Sequence, residues 1–341
     1  MTVERIEIAP GLNVSRIWKG GWHLSGGHGA IDPDAAVEDM RAFVEAGITT
    51  LDVADIYTGV EDMIGQFRKK YPVLAQRIEI NNKAVPDYDA LATIKPAQIE
   101  ATVDRSLKRL GVPRVDMLQF AWWDTKRGDF VAGAKVYDDI RKRGKTRYLG
   151  GINFTTPEIK AMLDAGVPLL SHQIQYSIVD DRPEKSGHVD LCLKHGIKLT
   201  CYGVVAGGFI SDRWLGKPEP KPPFANRSLT KYMLIIEDFG GWDLFQALLR
   251  TLRRIADKHR TSIVNVAMRA MLDKPAVATV IIGAVNRNHL ADHLELARVK
   301  LDDRDRAEIA AVAAKRKGPA GDVYELERDK TGRHGRIMKY N

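Results

Sequence analysis

A chain of 341 residues with 44% hydrophobic residues has room for one large domain and enough apolar side chains for a sizeable core, which excludes disorder as its default state. Its net charge of +8, from 52 basic and 44 acidic side chains, is read as a solvated surface rather than a nucleic-acid footprint. The most basic stretch, RDKTGRHGRIMKYN from Arg328, has neither interleaved aromatics nor a zinc-finger or RNP-like motif, so it is expected to be a tail lying on the body.

In chain order, MTVERIEIAPG carries no signal or transit pattern, and no apolar run approaches the roughly 20 residues of a membrane span. A cytoplasmic protein that binds neither membrane nor nucleic acid is expected. ERIEIAPGLNVSRI has two short extended runs around Pro-Gly and predicts a hairpin. Eight strand-length apolar runs follow, at 16–22, 48–55, 78–85, 115–122, 146–153, 169–176, 197–203 and 278–284. Helix-period segments alternate with them at 34–46, 60–70, 96–110, 132–143, 156–164, 187–195, 241–258 and 287–296. Asp32-Pro33 and Thr156-Pro157 look like capped helix starts, and Gly47, Gly111, Gly144 and Gly196 stand just past helix ends. Cys192 and Cys201 lack CxxC spacing and an adjacent histidine, so no disulfide framework and no metal site is expected.

Eight βα units predict an α/β fold of the (β/α)8 TIM-barrel type, with its site at the C-terminal ends of the strands. The glycines of GGWHLSGGHGA do not fit GxGxxG, and no GxxxxGK[ST] occurs, which argues against an open nucleotide-binding sheet. The Gly- and Pro-rich segment AGGFISDRWLGKPEPKPPFANRSLTKYM after strand seven is too long for a connector and is expected to be a lid or cofactor clasp. Residues 1–316 are expected to form the single barrel domain and 317–341 the basic C-terminal tail.

Polar residues closing barrel strands have no packing reason to be there. Strand two ends in Asp52, with Tyr57 in the next loop, and strand three ends in Asn82-Lys83. A lysine beside a phenol would lower the tyrosine's pKa, and a carboxylate would hold the lysine charged and oriented. Asp52 and Lys83 would serve equally well as a structural ion pair with Tyr57 a rim aromatic, and spacing alone does not separate the two readings.

TTLDVADIYTGVEDMIGQF and NNKAVPD resemble the aspartate–tyrosine and lysine motifs of the aldo-keto reductase family. The resemblance continues, in order, through YLGGINF, SHQIQYSIVDDRP, CYGVVAGGFIS, GGWDLFQALL and VIIGAVNRNHLADHL. It implies Tyr57 as proton donor, Lys83 and Asp52 as its modulators, and a nicotinamide cofactor across the barrel mouth. It further implies Asn153 and Gln173 on the carboxamide, Tyr202 stacked on the nicotinamide, and Gly283 and Ala284 beside a phosphate at a helix N-terminus. Arg287 would take a 2′-phosphate and Asp292 the adenine, favouring NADP(H) over NAD(H). These amides, Tyr202 and the charged residues of strand eight would also suit plain capping, core packing or an exposed face. Ile152 stands where the family has Ser or Thr.

LQFAWWD departs further, because Ala121 occupies the place of the family's substrate-binding histidine. Loss of the imidazole opens space expected to be lined by Trp22, Trp122 and Trp123. The leading expectation is an NAD(P)(H)-dependent oxidoreductase acting on a small carbonyl or alcohol. A non-redox acid–base enzyme (dehydration, isomerisation or cyclisation) and a cofactor-binding pseudoenzyme are the alternatives. The sequence does not give the oligomeric state.

Overall fold

The computed structural model describes residues 3–339; the ends of the expected barrel domain and tail, Met1, Thr2, Tyr340 and Asn341, lie outside the described residues. A hairpin of β1 (Arg5–Ala9) and β2 (Leu12–Ser15) precedes eight parallel strands. These are β3 (Ile17–Gly20), β4 (Thr50–Asp52), β5 (Glu79–Ala84), β6 (Val115–Phe120), β7 (Thr146–Ile152), β8 (Leu169–Gln175), β9 (Lys198–Tyr202) and β10 (Val277–Gly283). Pairing of β10 with β3 closes them into a barrel, in chain order around the ring. The (β/α)8 expectation holds; seven of the eight strands fall inside their predicted runs, and β10 starts one residue before its run, at Val277. Among the described residues, no helix is long and apolar enough to cross a membrane.

Alternation along the strands divides the core. One set of side chains packs outward against the helices, as Phe120 does on Tyr137. The other set fills the barrel. At its lower end Trp18, Met117 and Ala278 pack with Ile8, Leu12 and Val14, so the hairpin closes that end with apolar side chains. Above them the interior turns polar: Gln119 Nε2 donates to Asn81 Oδ1 and Ser171 Oγ, both at 3.0 Å. Gly150 makes this crossing possible, since a Cβ there would lie 2.3 Å from Gln119 Oε1 and 2.5 Å from Ser171 Oγ.

Local signals set most helix ends. Asp32 caps Pro33–Glu45 by accepting from the amides of Asp34 and Ala35. Gly111 ends Pro96–Leu110 at φ 67°, a left-handed conformation that glycine adopts without Cβ strain. One cap differs from expectation: Thr155, not Thr156, caps Thr156–Asp164, because Glu158 reaches back to the Thr155 amide at 2.7 Å. The helix expected at 287–296 is shorter, Leu290–Leu294 followed by a 3-10 turn. The segment after β9 is not all loop, for it contains the helix Arg227–Phe239, capped by Asn226. Helices Ile263–Leu272 and Asp303–Ala313 complete the outer layer.

The C-terminal segment crosses the mouth of the barrel. Asp322 accepts from the Thr156 amide (2.7 Å) and hydroxyl (3.0 Å), where β7 leads into its helix. Buried Glu327 pairs with Arg182 at 3.0 Å, and Arg182 also holds Asp180. Arg328 pairs with Glu158, while Arg333 and His334 reach Glu237 and Asp238 at the end of Arg227–Phe239. Arg328, Arg333 and His334 of the tail are thus matched to carboxylates of the barrel's own helices.

Gly150→Ala should force Gln119 or Ser171 out of the crossing and cost about 1–3 kcal/mol, as overpacking does, measured as a shift in urea midpoint. An unchanged midpoint would show that the barrel interior can absorb the methyl.

Candidate active site

β4 delivers Asp52, β5 delivers Asn81 and Lys83, and β8 delivers Gln173 to one point inside the mouth. Asp52 Oδ1 accepts from Asn81 Nδ2 at 2.6 Å, Lys83 Nζ at 2.8 Å and Gln173 Nε2 at 2.9 Å. The Asp52 and Lys83 side chains are only 5% and 3% exposed. Lys83 Nζ spends a second hydrogen on the Val53 carbonyl at 2.9 Å. Burial lowers the Lys83 pKa, and Asp52 opposes that shift.

Tyr57 sits in the turn after β4, where its amide donates to Ala54 and its carbonyl accepts from Val60. The Lys83 ammonium lies 5.0 Å from the centre of its ring, and Trp22 meets the ring edge-on at 5.4 Å. The structure therefore brings Asp52, Tyr57, Lys83 and Trp22 together. It reverses the expected pKa direction: burial raises the Tyr57 phenol well above its ordinary value, and Asp52, Tyr324 and Asp55 add to the rise. The ammonium's charge is answered by Asp52 at contact distance, so it does little to draw out a phenolate.

Asp55 escaped the sequence reading. Burial pushes its carboxyl up to about 7, although it accepts from the Val85 amide at 3.0 Å. Its signal was an acid set among Val53, Ala54 and Ile56.

Around the rim, Asn153 adopts φ 61° and its Oδ1 accepts from Tyr202 Oη at 2.8 Å, joining the ends of β7 and β9. Gln173 Oε1 is buried without a hydrogen-bond partner. Lys231, on Arg227–Phe239, lies 5.2 Å from the Tyr202 ring. At the end of β10, the His23 imidazole packs where a Cβ of Gly283 would be, 1.9 Å from that position. The Ala284 carbonyl accepts from the buried Lys19 ammonium at 3.2 Å. Arg287 lies before the helix expected to hold it, is 54% exposed, and has one long contact, 3.5 Å, with Asp39. Asp292 is turned to its neighbours, accepting from Ser262 at 2.8 Å and Asn265 at 3.3 Å.

Ala121 is buried just beyond β6. Trp122 does not line a pocket with it: the pleat sends it outward, where its ring packs on Gly133 and Phe120 and Nε1 donates to the Arg127 carbonyl at 2.9 Å. Trp123 is half-buried.

Residues 16–314 match the family model described as the Aldo/keto reductase family. The chain belongs to that family. Its fold and family are those of NAD(P)-dependent oxidoreductases. The chain is 24% identical to L-glyceraldehyde 3-phosphate reductase of Escherichia coli K12 over 304 residues, 84% of either protein. It is 28% identical to flagellar radial spoke protein 5 of Chlamydomonas reinhardtii over 260 residues, 64% of this chain but 49% of that protein, so it spans about half the length of that relative. The holo form of an aldo-keto reductase from Bacillus halodurans has the same fold, with TM-score 0.71 at 23% identity, covering 96% of this chain and all (100%) of the other.

In this aldo/keto reductase the Asp52–Lys83 pair is buried enough that removing one partner strands the other charge. Asp52→Ala or Lys83→Met alone should cost about 3–5 kcal/mol, and the double variant much less than the sum. Additive losses in a denaturation cycle would show that the pair is not coupled.

A second expectation concerns acidity. His172 Nδ1 meets His188 Nε2 at 2.7 Å, and His188 Nδ1 meets Thr156 Oγ1, which donates to Asp322. Burial lowers His188 from 6.5 to about 4. The unfolded chain then binds the proton more readily, so this contribution is present above pH 6.5 and is lost as pH falls toward 4. Asp55, raised to about 7, titrates in the opposite sense. A His188→Asn variant, compared with the parent across pH 4–7, should show a shallower slope, with His172 and His293 keeping their share; identical slopes would refute the assignment.

Proposed function

We propose that this protein is a reductase of small carbonyl compounds, with Tyr57 delivering the proton to the carbonyl oxygen. A reduced nicotinamide, when bound, supplies the hydride. The observation that carries the reading is the Tyr57 ring standing over the buried, ion-paired Lys83 and Asp52. Its raised pKa keeps the phenol protonated at neutral pH, which suits a general acid in reduction better than a base in alcohol oxidation. Lys83 and Asp52 hold the ring's underside polar and fixed, and Trp22 shields its edge.

The donor set suits the nicotinamide. Gln173 Oε1 is a buried acceptor with no partner, the complement of a carboxamide N–H, while its Nε2 is anchored on Asp52. Asn153 and Tyr202, bonded to each other, form the adjoining wall. Arg287, exposed and held by one long contact, is the residue for a 2′-phosphate, and on this ground we favour NADP(H) over NAD(H). Asp292 is committed to Ser262 and Asn265 and is the weaker candidate for adenine. With both cysteines buried as free thiols, a reducing cytoplasmic setting accords with this chemistry.

One observation favours a second reading: a relative is named for a flagellar structure rather than a reaction. A cofactor-binding protein without turnover would keep the same donor set, and activity decides between the two.

Titration of the protein with NADPH and NADH, followed by nicotinamide fluorescence, should show binding, tighter for NADPH. A panel of aldehydes and ketones should then be reduced, and Tyr57→Phe should lower kcat by about 100-fold or more with cofactor affinity kept. Absence of binding by either nucleotide would sink the redox reading, and full turnover by the Phe variant would remove Tyr57 from its role. Carbonyl reduction should show no basic limb from Tyr57 below about pH 10, whereas alcohol oxidation should climb throughout that range.

A further inference from the structure

We propose that the outside of the barrel carries a binding site for a small phosphorylated compound, in the cleft between the helices Val60–Lys70 and Pro96–Leu110.

The cleft exists because the two helices touch at one place and part beside it. Gly65 sets the contact: a Cβ there would lie 2.2 Å from the Arg109 carbonyl oxygen, so any side chain would push the helices apart. Beside the contact lies a cavity of about 480 Å³, within the range usual for small-molecule sites. Asp62, Gln66 and Lys69 line it from the first helix, and Arg105, Lys108 and Arg109 from the second. Their spacing puts each set on one helix face.

The charges in the cleft are those the fold leaves unanswered. On the helix Pro96–Leu110 the acids are turned the other way: Glu100 pairs with Arg143 and Lys145, and Asp104, one turn before Lys108, also pairs with Lys145. Lys70, next to Lys69, is held by Glu38. Lys69, Arg105 and Lys108 are exposed and pair with no carboxylate among the described residues. Arg109 is anchored instead. It meets buried Glu61 at 3.2 Å, and Asn82 Nδ2 donates to the other Glu61 oxygen at 3.2 Å, so the guanidinium is fixed at the cavity wall. Arg105, one turn earlier, donates to Thr102 Oγ1 at 2.9 Å.

With Glu61 and Asp62 set against the four cations, an excess of two positive charges remains. A phosphate monoester carries about that much negative charge at neutral pH. Two guanidiniums one turn apart offer paired N–H donors to its oxygens, a geometry that phosphate meets well. The cavity is larger than a phosphate alone, which leaves room for the group bearing it. Like charges one turn apart on a helix repel, so the free protein holds a cost that a bound anion removes.

The test uses the full-length protein and inorganic pyrophosphate as probe, followed by calorimetry at about 0.15 M ionic strength, with NADPH at saturation so that the barrel mouth is filled. Pyrophosphate should bind with Kd below about 1 mM and more tightly than sulfate. Arg105→Gln and Lys108→Gln should each weaken it roughly tenfold, with the thermal midpoint and the NADPH constant kept. Lys135→Gln removes an equal charge from the helix Phe130–Lys142, outside the cleft, and should leave binding unchanged. Binding weaker than about 1 mM would overturn the site, and so would variants that bind like the parent. Loss of pyrophosphate binding on adding NADPH would place the probe in the mouth, and equal weakening by Lys135→Gln would reduce the effect to overall charge; either overturns the proposal. A protein that binds no nucleotide would sink the reductase reading alone, because the same variants, titrated without NADPH, still decide this site.

Discussion

One oxygen of Asp52 accepts hydrogen bonds from three residues on two other strands, and the upper barrel is arranged around that need. A carboxylate buried this deeply is tolerable only if its charge is answered and its lone pairs are filled. Lys83 does the first and the two amides the second. The consequence reaches Tyr57: burial holds its hydroxyl protonated and the Asp52 charge adds to that, while the Lys83 ammonium meets the phenol through the ring face. The same clamp aims Gln173, whose nitrogen is held on Asp52 and whose oxygen is left facing the interior.

A second polar cluster fixes the other side of the mouth. Glu327 joins Arg182, Asp180 and Lys231, and Gln175 of β8 donates to Asp180 at 2.6 Å. The two clusters share a strand, since Gln173 and Gln175 project from the same face of β8. Movement of the tail would therefore be felt at Asp52 through one strand. The tail packs on the mouth through Asp322, Glu327 and Arg328, and the carboxylate partners of Arg328, Arg333 and His334 lie elsewhere in the chain.

Strand count, barrel class and the Asp52–Tyr57–Lys83 group were legible because each rests on local sequence: alternation, turn chemistry, and an acid, phenol and lysine at strand ends. Pleat parity was equally available and would have corrected one expectation. Gln119 and Ala121 share the inward face of β6, so Trp122 had to point away. The helix Arg227–Phe239 was hidden by the Gly- and Pro-rich residues before it, although TKYMLIIEDF has helical spacing. Other features were not local. Nothing near Glu327 announces Arg182, 145 positions away, and nothing in GGWHL shows that His23 will lie against Gly283. The direction of the Tyr57 shift was also out of reach, because it is set first by how deeply the phenol is buried and then by its distance from Asp52.

The interior carries a cost that bears on ligand binding. Gln173 Oε1 has no partner, and an unmet acceptor in such a place costs about 1–3 kcal/mol. A better-packed core would place an apolar side chain there, but that residue could not also steady Asp52. A ligand bringing an N–H to the oxygen recovers the cost, so part of its binding energy is stored in the free protein as an unmet hydrogen bond. A ligand that satisfies this oxygen would thereby stabilise the folded barrel. Held there, it would meet the Asp52–Lys83 pair through a single glutamine, its oxygen facing the ligand and its nitrogen bonded to Asp52.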